Sequence, residues 1–140
     1  MSPTATAPMN KSLIIPTSLE AIYTVESAVD ELRTELDFRD DAYANIMVAV
    51  TEAVNNAVYH GNREDASKNI YVEFTAKSAY LLTVRVRDEG FGFDPAALPD
   101  PTAPENLEKL SGRGVFLMTQ LADAIRFEDD GRVVEMDFHV

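Results

Sequence analysis

Apolar residues recur along this chain with one of two periods, and the period assigns the element. Leu19, Ile22, Val25, Val29, Leu32 and Leu36 keep the three-and-four spacing of a helix facing a core, with Ser18 placed to cap it. A second helix is expected from Asp40, as its cap, to His60, where Gly61 and Asn62 offer a stop. NIYVEFTA and YLLTVRVRD alternate apolar and polar residues instead, and read as two strands of a hairpin turning through Lys77 to Ala79. VFLMTQLAD predicts a short amphipathic helix. AIRFED and RVVEMDFHV predict a second hairpin around Asp129 to Gly131. SLIIP, residues 12 to 16, reads as a short strand ended by Pro16.

Two stretches break these patterns. Residues 1–11 lack large aliphatic side chains apart from methionine and are expected to form a mobile tail. The glycine- and proline-rich stretch from Asp88 to Gly112, in which only ENLEKL looks helical, is expected to hold a lid over about 93–112. The order strand, helix, helix, two strands, lid, helix, two strands predicts a single domain over 12–140. Its expected class is an α+β two-layer sandwich, a mixed and mostly antiparallel sheet with helices on one face.

The second helix carries a pattern that core packing does not explain. In TEAVNNAVYHG, Glu52, Asn56 and His60 are four residues apart and fall within an arc of roughly 80°. Ile46, Val50, Val54, Ala57 and Val58 cluster on the opposite side. One face therefore builds the core, and the polar stripe awaits another partner.

Charge and composition narrow what that partner is. The chain has 140 residues, 46% of them hydrophobic, enough for one core without cross-links. It has no cysteine, which excludes disulfides and Cys-based zinc sites. It also has no apolar signal-peptide core or membrane-length apolar span, and is expected to be soluble and cytoplasmic. Twelve basic residues face twenty-four acidic ones, a net charge of −12, which argues against direct nucleic-acid binding and suits solubility or a basic protein partner.

Two glycine motifs complete the candidate chemistry. In RDEGFGFDP, a strand end opens into Asp88, Gly90 and Gly92, where glycines let the backbone pass close to a ligand. The Asp88 carboxylate accepts hydrogen bonds only, and an adenine amino group is a suitable donor. In SGRGVFLM, Gly112 and Gly114 lead into an expected helix N-terminus, an arrangement that favours phosphate. Asn56 offers a neutral oxygen to Mg²⁺, and Glu52 lies one turn earlier. Each motif alone is commonly a turn, a cap or a solvated pair; their joint occurrence around one long loop is what points to a nucleotide.

EAVNNAVYHG, RDEGFGF and SGRGVFLM together resemble the N box and the two glycine boxes of the bacterial anti-sigma factor serine/threonine kinases. These form a branch of the histidine-kinase-like ATPase superfamily, and the resemblance covers about residues 12–139. It implies the Bergerat ATP-binding fold, with Glu52 as general base, Asn56 as Mg²⁺ ligand and Asp88 as the adenine reader. Gly90, Gly92, Gly112 and Gly114 would shape the pocket and lid, and Lys109 or Arg113 would help neutralise the phosphates. It further implies transfer of the ATP γ-phosphoryl group to a STAS-domain anti-anti-sigma protein and sequestration of a sigma factor, with a homodimer compatible. Two departures stand out: Leu110 where an arginine often precedes the lid Ser-Gly, and Gly131–Arg132 where a Gly-Thr pair is common. The alternatives are an ATP-binding, partner-switching module without phosphotransfer, and ATP hydrolysis in which Glu52 activates water.

Overall fold

The computed structural model describes residues 9–90 and 110–140. In chain order, β1 is Met9–Pro16, α1 Ala21–Leu36, α2 Asp40–Asn56, β2 Asn69–Ser78, β3 Leu81–Arg87, α3 Leu110–Leu121, β4 Ala124–Glu128 and β5 Val133–His139. A π turn, Ala57–Gly61, continues α2, and a 3-10 turn, Asp129–Gly131, joins β4 to β5. The strands form one sheet in the order β1-β2-β3-β5-β4. Every pairing is antiparallel, so the mixed sheet allowed by the sequence is antiparallel throughout its described strands.

Strand alternation separates the two faces of the sheet. Ile70, Val72 and Phe74 of β2 and Leu82, Val84 and Val86 of β3 are buried, as are Val134, Met136 and Phe138 of β5. Register sets Phe74 opposite Val84 and Val84 opposite Met136, a continuous apolar row across the central strands. Val25, Val29 and Leu32 of α1 and Ile46, Val50 and Val54 of α2 belong to the same core. Each such side chain contributes about 1.5–3 kcal/mol on burial, and that drives the helices onto this face.

The opposite face carries charge. Arg85 Nη1 reaches Glu128 at 2.9 Å and Glu135 at 3.2 Å, while Arg126 Nη2 bridges Glu135 at 2.8 Å and Asp137 at 2.9 Å. The Arg126 hydrogen bond holds the Asp137 carboxyl below its ordinary range.

Several boundaries differ from the sequence reading. β1 begins at Met9, so residues 9–11, expected in the tail, pair with Phe74–Ala76 instead. Ser18 does not cap α1. Its carbonyl accepts the Ala21 N–H at 3.2 Å in the turn that lifts the chain off the sheet edge, and Leu19 is 65% exposed. Asp40 is the first helical residue of α2 rather than its cap; with Asp41 it places negative charge at the positive end of the helix dipole.

The largest difference is at α3, which starts at Leu110 and therefore contains Gly112 and Gly114 instead of following them. Glycine costs about 1 kcal/mol in a helix interior. At Gly114 packing against α2 offsets that cost, because the missing side chain leaves room for Glu52 and Asn56. Residues 1–8 and 91–109 lie outside the described residues. They include Gly92, Lys109, most of the expected lid and, except for Leu110, the expected ENLEKL helix.

Candidate functional site

α2 delivers the polar stripe to the edge of the core. Ala53 and Val54 are buried while Glu52 and Asn56, on the adjoining arc, are half-buried. A methyl group built on Gly114 of α3 would lie 3.0 Å from Asn56 Nδ2, 3.1 Å from Asn56 Oδ1 and 3.2 Å from Glu52 Oε2. The Glu52 carboxylate and the Asn56 amide thus converge on one point. The lack of a side chain at 114 is what lets the α3 backbone come this close to both.

The end of α2 is where the helix loses its regular phase. The Asn62 N–H bonds the Ala57 carbonyl at 2.8 Å, a five-residue span that widens the last turn. His60 emerges exposed and Gly61 faces the end of β3. A Cβ on Gly61 would stand 2.3 Å from Asp88 Oδ2, and one on Gly90 would stand 1.8 Å from the Gly61 carbonyl oxygen. Neither position tolerates a side chain, because the opposing atoms are a buried carboxylate and a backbone carbonyl.

Asp88 is 8% exposed, and Gly90 N–H donates to its Oδ1 at 2.8 Å. Burial pushes its carboxyl above the ordinary range, opposed by the Gly90 hydrogen bond and by the charges of Arg132, Lys68 and Arg87. Beside it opens a cavity of about 160 Å³, walled by Val86, Val115, Met118 and Val134, with Asn56 and Asp88 among its polar members. That is smaller than the roughly 300–1,000 Å³ of a cleft enclosing a whole drug-sized ligand, and it suits one flat ring. Among the described residues Asp88 is the one buried polar side chain lining this apolar slot, and its carboxylate can accept from a ring bearing an N–H donor.

The sequence-derived candidates are partly gathered. Asn56 and Asp88 line the cavity, with Gly61 and Gly90 forming the contact behind Asp88. Glu52 and Gly114 stand at one side of it. Gly112 and Arg113 lie in the first turn of α3 rather than ahead of it.

Two contributors were not legible. Asn62, 1% exposed, donates to Thr17 Oγ1 at 2.8 Å and to the Asn69 carbonyl at 3.0 Å, and accepts the Glu89 N–H at 2.7 Å. It joins the end of the π turn to the β1–α1 link, β2 and the glycine turn; in sequence it read as a helix stop. Arg132 donates through Nε to the Gly90 carbonyl at 2.8 Å and lines the cavity. Its adjacency to Gly131 was visible, its partner was not.

These residues fit ATP with Mg²⁺ on the chemistry of the donor set. An adenine base would find an apolar slot with a carboxylate in its wall, and α2 sets the Asn56 amide next to the Glu52 carboxylate. Among the described residues no three His, Asp or Glu side chains group as a metal cage. A Mg²⁺ held at Asn56 would therefore complete its shell with phosphate oxygens and water, as that ion commonly does.

Comparison with known proteins identifies the family. Residues 15–138 match the histidine kinase-like ATPase domain family. An anti-sigma F factor from Priestia megaterium is 35% identical over 98 residues, 68% of this chain and 66% of that protein. One from Bacillus licheniformis is 30% identical over 112 residues, 76% of this chain and 75% of that protein. The serine-protein kinase RsbW of Oceanobacillus iheyensis is 26% identical over 87% of this chain and 80% of its own. The chain thus spans about two thirds of the length of the first relative and more of the others. In fold it is similar to the crystal structure of the RsbU and RsbW domains of Rv1364c from Mycobacterium tuberculosis. The TM-score is 0.64 at 19% identity, over 95% of this chain and 32% of that one. The chain belongs to the histidine kinase-like ATPase domain family, in the branch that includes the anti-sigma F factors and the RsbW serine-protein kinases.

Proposed function

We propose that this protein is an anti-sigma-type serine/threonine kinase. It transfers the γ-phosphoryl group of Mg-ATP to a serine or threonine hydroxyl of a STAS-domain anti-anti-sigma protein, and it sequesters a sigma factor, acting in the cytoplasm as a homodimer. The observation that carries this reading is the placement of Glu52 and Asn56 one turn apart, side by side against α3, on the helix that also lines the Asp88 cavity.

Asp88 orients the base by accepting its amino hydrogen. The Glu52 carboxylate aligns the acceptor hydroxyl and takes its proton as the new oxygen–phosphorus bond forms and the bond from the γ-phosphorus to the bridging oxygen breaks, ADP leaving with that electron pair. Asn56 would hold Mg²⁺, which when bound neutralises charge on the phosphates. Positioning carries most of the rate in a loose phosphoryl transfer, so the rigid helix under Glu52 and Asn56 matters as much as their chemistry.

Incubation with γ-labelled ATP, Mg²⁺ and STAS-domain proteins from the same genome tests the reading. Label on a partner serine or threonine, absent with Glu52→Gln, is expected. Label in free phosphate regardless of partner would instead assign Glu52 to activating water.

A second reading has one observation in its favour. The Gly114 backbone already packs against Glu52 and Asn56, so α3 covers the pair. A module that holds nucleotide and switches partners without transfer would be built this way, and it would bind ATP and sigma factor yet leave every partner unlabelled.

A further inference from the structure

Arg132 is the one arginine lining the cavity within the described residues, and its side chain spans two walls. Nε–H donates to the Gly90 carbonyl at 2.8 Å, on the glycine turn after β3. Nη1 donates to the Asp129 carbonyl at 3.1 Å and to Asp129 Oδ1 at 3.2 Å, on the turn between β4 and β5. That turn is conformationally expensive: Asp129 at φ 52°, Asp130 at φ 55° and Gly131 at φ 84° are all left-handed, a region costly for residues other than glycine. The Arg132 backbone closes the same unit, with its carbonyl accepting the Asp88 N–H at 3.0 Å. Three hydrogen bonds around Gly90 are thus consecutive: Asn62 Oδ1 accepts the Glu89 N–H, Asp88 Oδ1 accepts the Gly90 N–H, and Arg132 Nε–H donates to the Gly90 carbonyl.

We propose that Arg132 is a positioning residue for nucleotide binding: its guanidinium staples the glycine turn to the 129–131 turn and thereby fixes the Asp88 carboxylate in the cavity wall. The inference rests on the reading of the cavity as the site of the base. Burial of Asp88 carries a penalty, and a cation on the facing turn lowers it. Lys68 and Arg87 also act on Asp88, and His60 lines the same cavity. All three are untouched by a change at 132 and so cancel between variants, whereas Asp129 and Asp130, which pair with Arg132 Nη1 at 3.2 and 3.7 Å, lose their partner in Arg132→Gln and push the Asp88 carboxyl in the same direction.

The test is calorimetric titration of Mg-ATP into the wild type, Arg132→Gln and Arg132→Lys across the acid range, with thermal melts in parallel. Gln removes the charge and Lys keeps it. Losing a charge-assisted hydrogen bond predicts affinity lower by on the order of 10- to 100-fold for Arg132→Gln. Without the cation the Asp88 carboxyl is protonated more readily, so the affinity of this variant should also fail at a higher pH than that of the wild type as pH is lowered. Arg132→Lys should lose affinity but retain the wild-type acid limb. A merely structural role would lower affinity by the same factor at every pH, and that result would overturn the inference. So would wild-type affinity in Arg132→Gln, or an acid limb of Arg132→Lys displaced as in Gln. If the wild type itself does not bind Mg-ATP, the nucleotide reading falls and this inference falls with it.

Discussion

Alanine at Gly114 should separate stability from function. In a helix interior, glycine to alanine gains about 0.5–1 kcal/mol, largely by restricting the unfolded chain. Against that gain stand contacts of 3.0, 3.1 and 3.2 Å between the new methyl group and Asn56 Nδ2, Asn56 Oδ1 and Glu52 Oε2. All are tighter than the ordinary 3.4 Å or more for such a carbon. The atoms in the way are ends of half-buried side chains, which yield by a few tenths of an ångström at about 0.5–1 kcal/mol of rotamer energy. The two terms nearly cancel, so the melting temperature should move by no more than about 2–3 °C. Function has no such cancellation, because the methyl group displaces the carboxylate and the amide together. Misplacement of reacting groups by about 1 Å costs on the order of 100-fold, so a shift of a few tenths of an ångström predicts a roughly 4- to 10-fold loss of phosphotransfer at saturating ATP. Chemical denaturation and initial rates on one preparation decide it. A wild-type rate would mean that α3 leaves Glu52 and Asn56 during turnover. A stability loss above about 2 kcal/mol would mean that the two side chains cannot give way, and the reasoning from flexible ends would fail.

The same geometry leads to three further expected outcomes. Glu52→Gln should lower partner phosphorylation by at least about 100-fold while calorimetric ATP affinity is preserved, since the side chain keeps its shape and loses only its basicity. Asp88→Asn should abolish or sharply weaken ATP binding yet make the fold no less stable at neutral pH. The folded-state pKa of Asp88 is raised, so its ionisation costs stability as pH rises from the unfolded value through the folded one, and removing the charge removes that pH dependence. Denaturation midpoints of the two proteins across pH 3 to 8, roughly the range of carboxyl titration, should diverge towards the upper end. Asn62→Ala should cost about 2–4 kcal/mol, because it strips partners from the Glu89 N–H and the Asn69 carbonyl. Its ATP affinity should fall as well, through the glycine turn.

Element type was readable wherever one side of an element is buried. α1, α2 and the two hairpins are direct products of the apolar periods, and the polar arc of α2 marked the site because no core could use it. Boundaries were less readable where the deciding contact is distant in sequence. β1 extends to Met9 because β2 is long enough to pair with it up to Ala76, which the composition of MSPTATAPMN does not reveal. The start of α3 was misplaced for a related reason. Glycine argues locally for a helix end, but at 114 its lack of a side chain allows α3 to approach Asn56. Asn62 and Arg132 were missed as contributors because their partners lie 27 and 42 residues away. Asp88 was found through its neighbouring glycines, and the structure gives those glycines a reason: Gly90 meets Gly61, and Gly61 meets Asp88.

The widened turn at Ala57–Gly61 also fixes the reading frame of the site. Everything before it is indexed by the helix and everything after it by the sheet, and a single extra residue reconciles the two. Inserting one more residue beside Tyr59, which is exposed and stands apart from the core cluster, would exceed what the widened turn absorbs and swing the next residues by about 100°. Gly61 would then no longer back onto Asp88, although every residue with a chemical role would remain in the chain. The site should therefore tolerate substitution on the exposed side of this turn far better than a change of length within it.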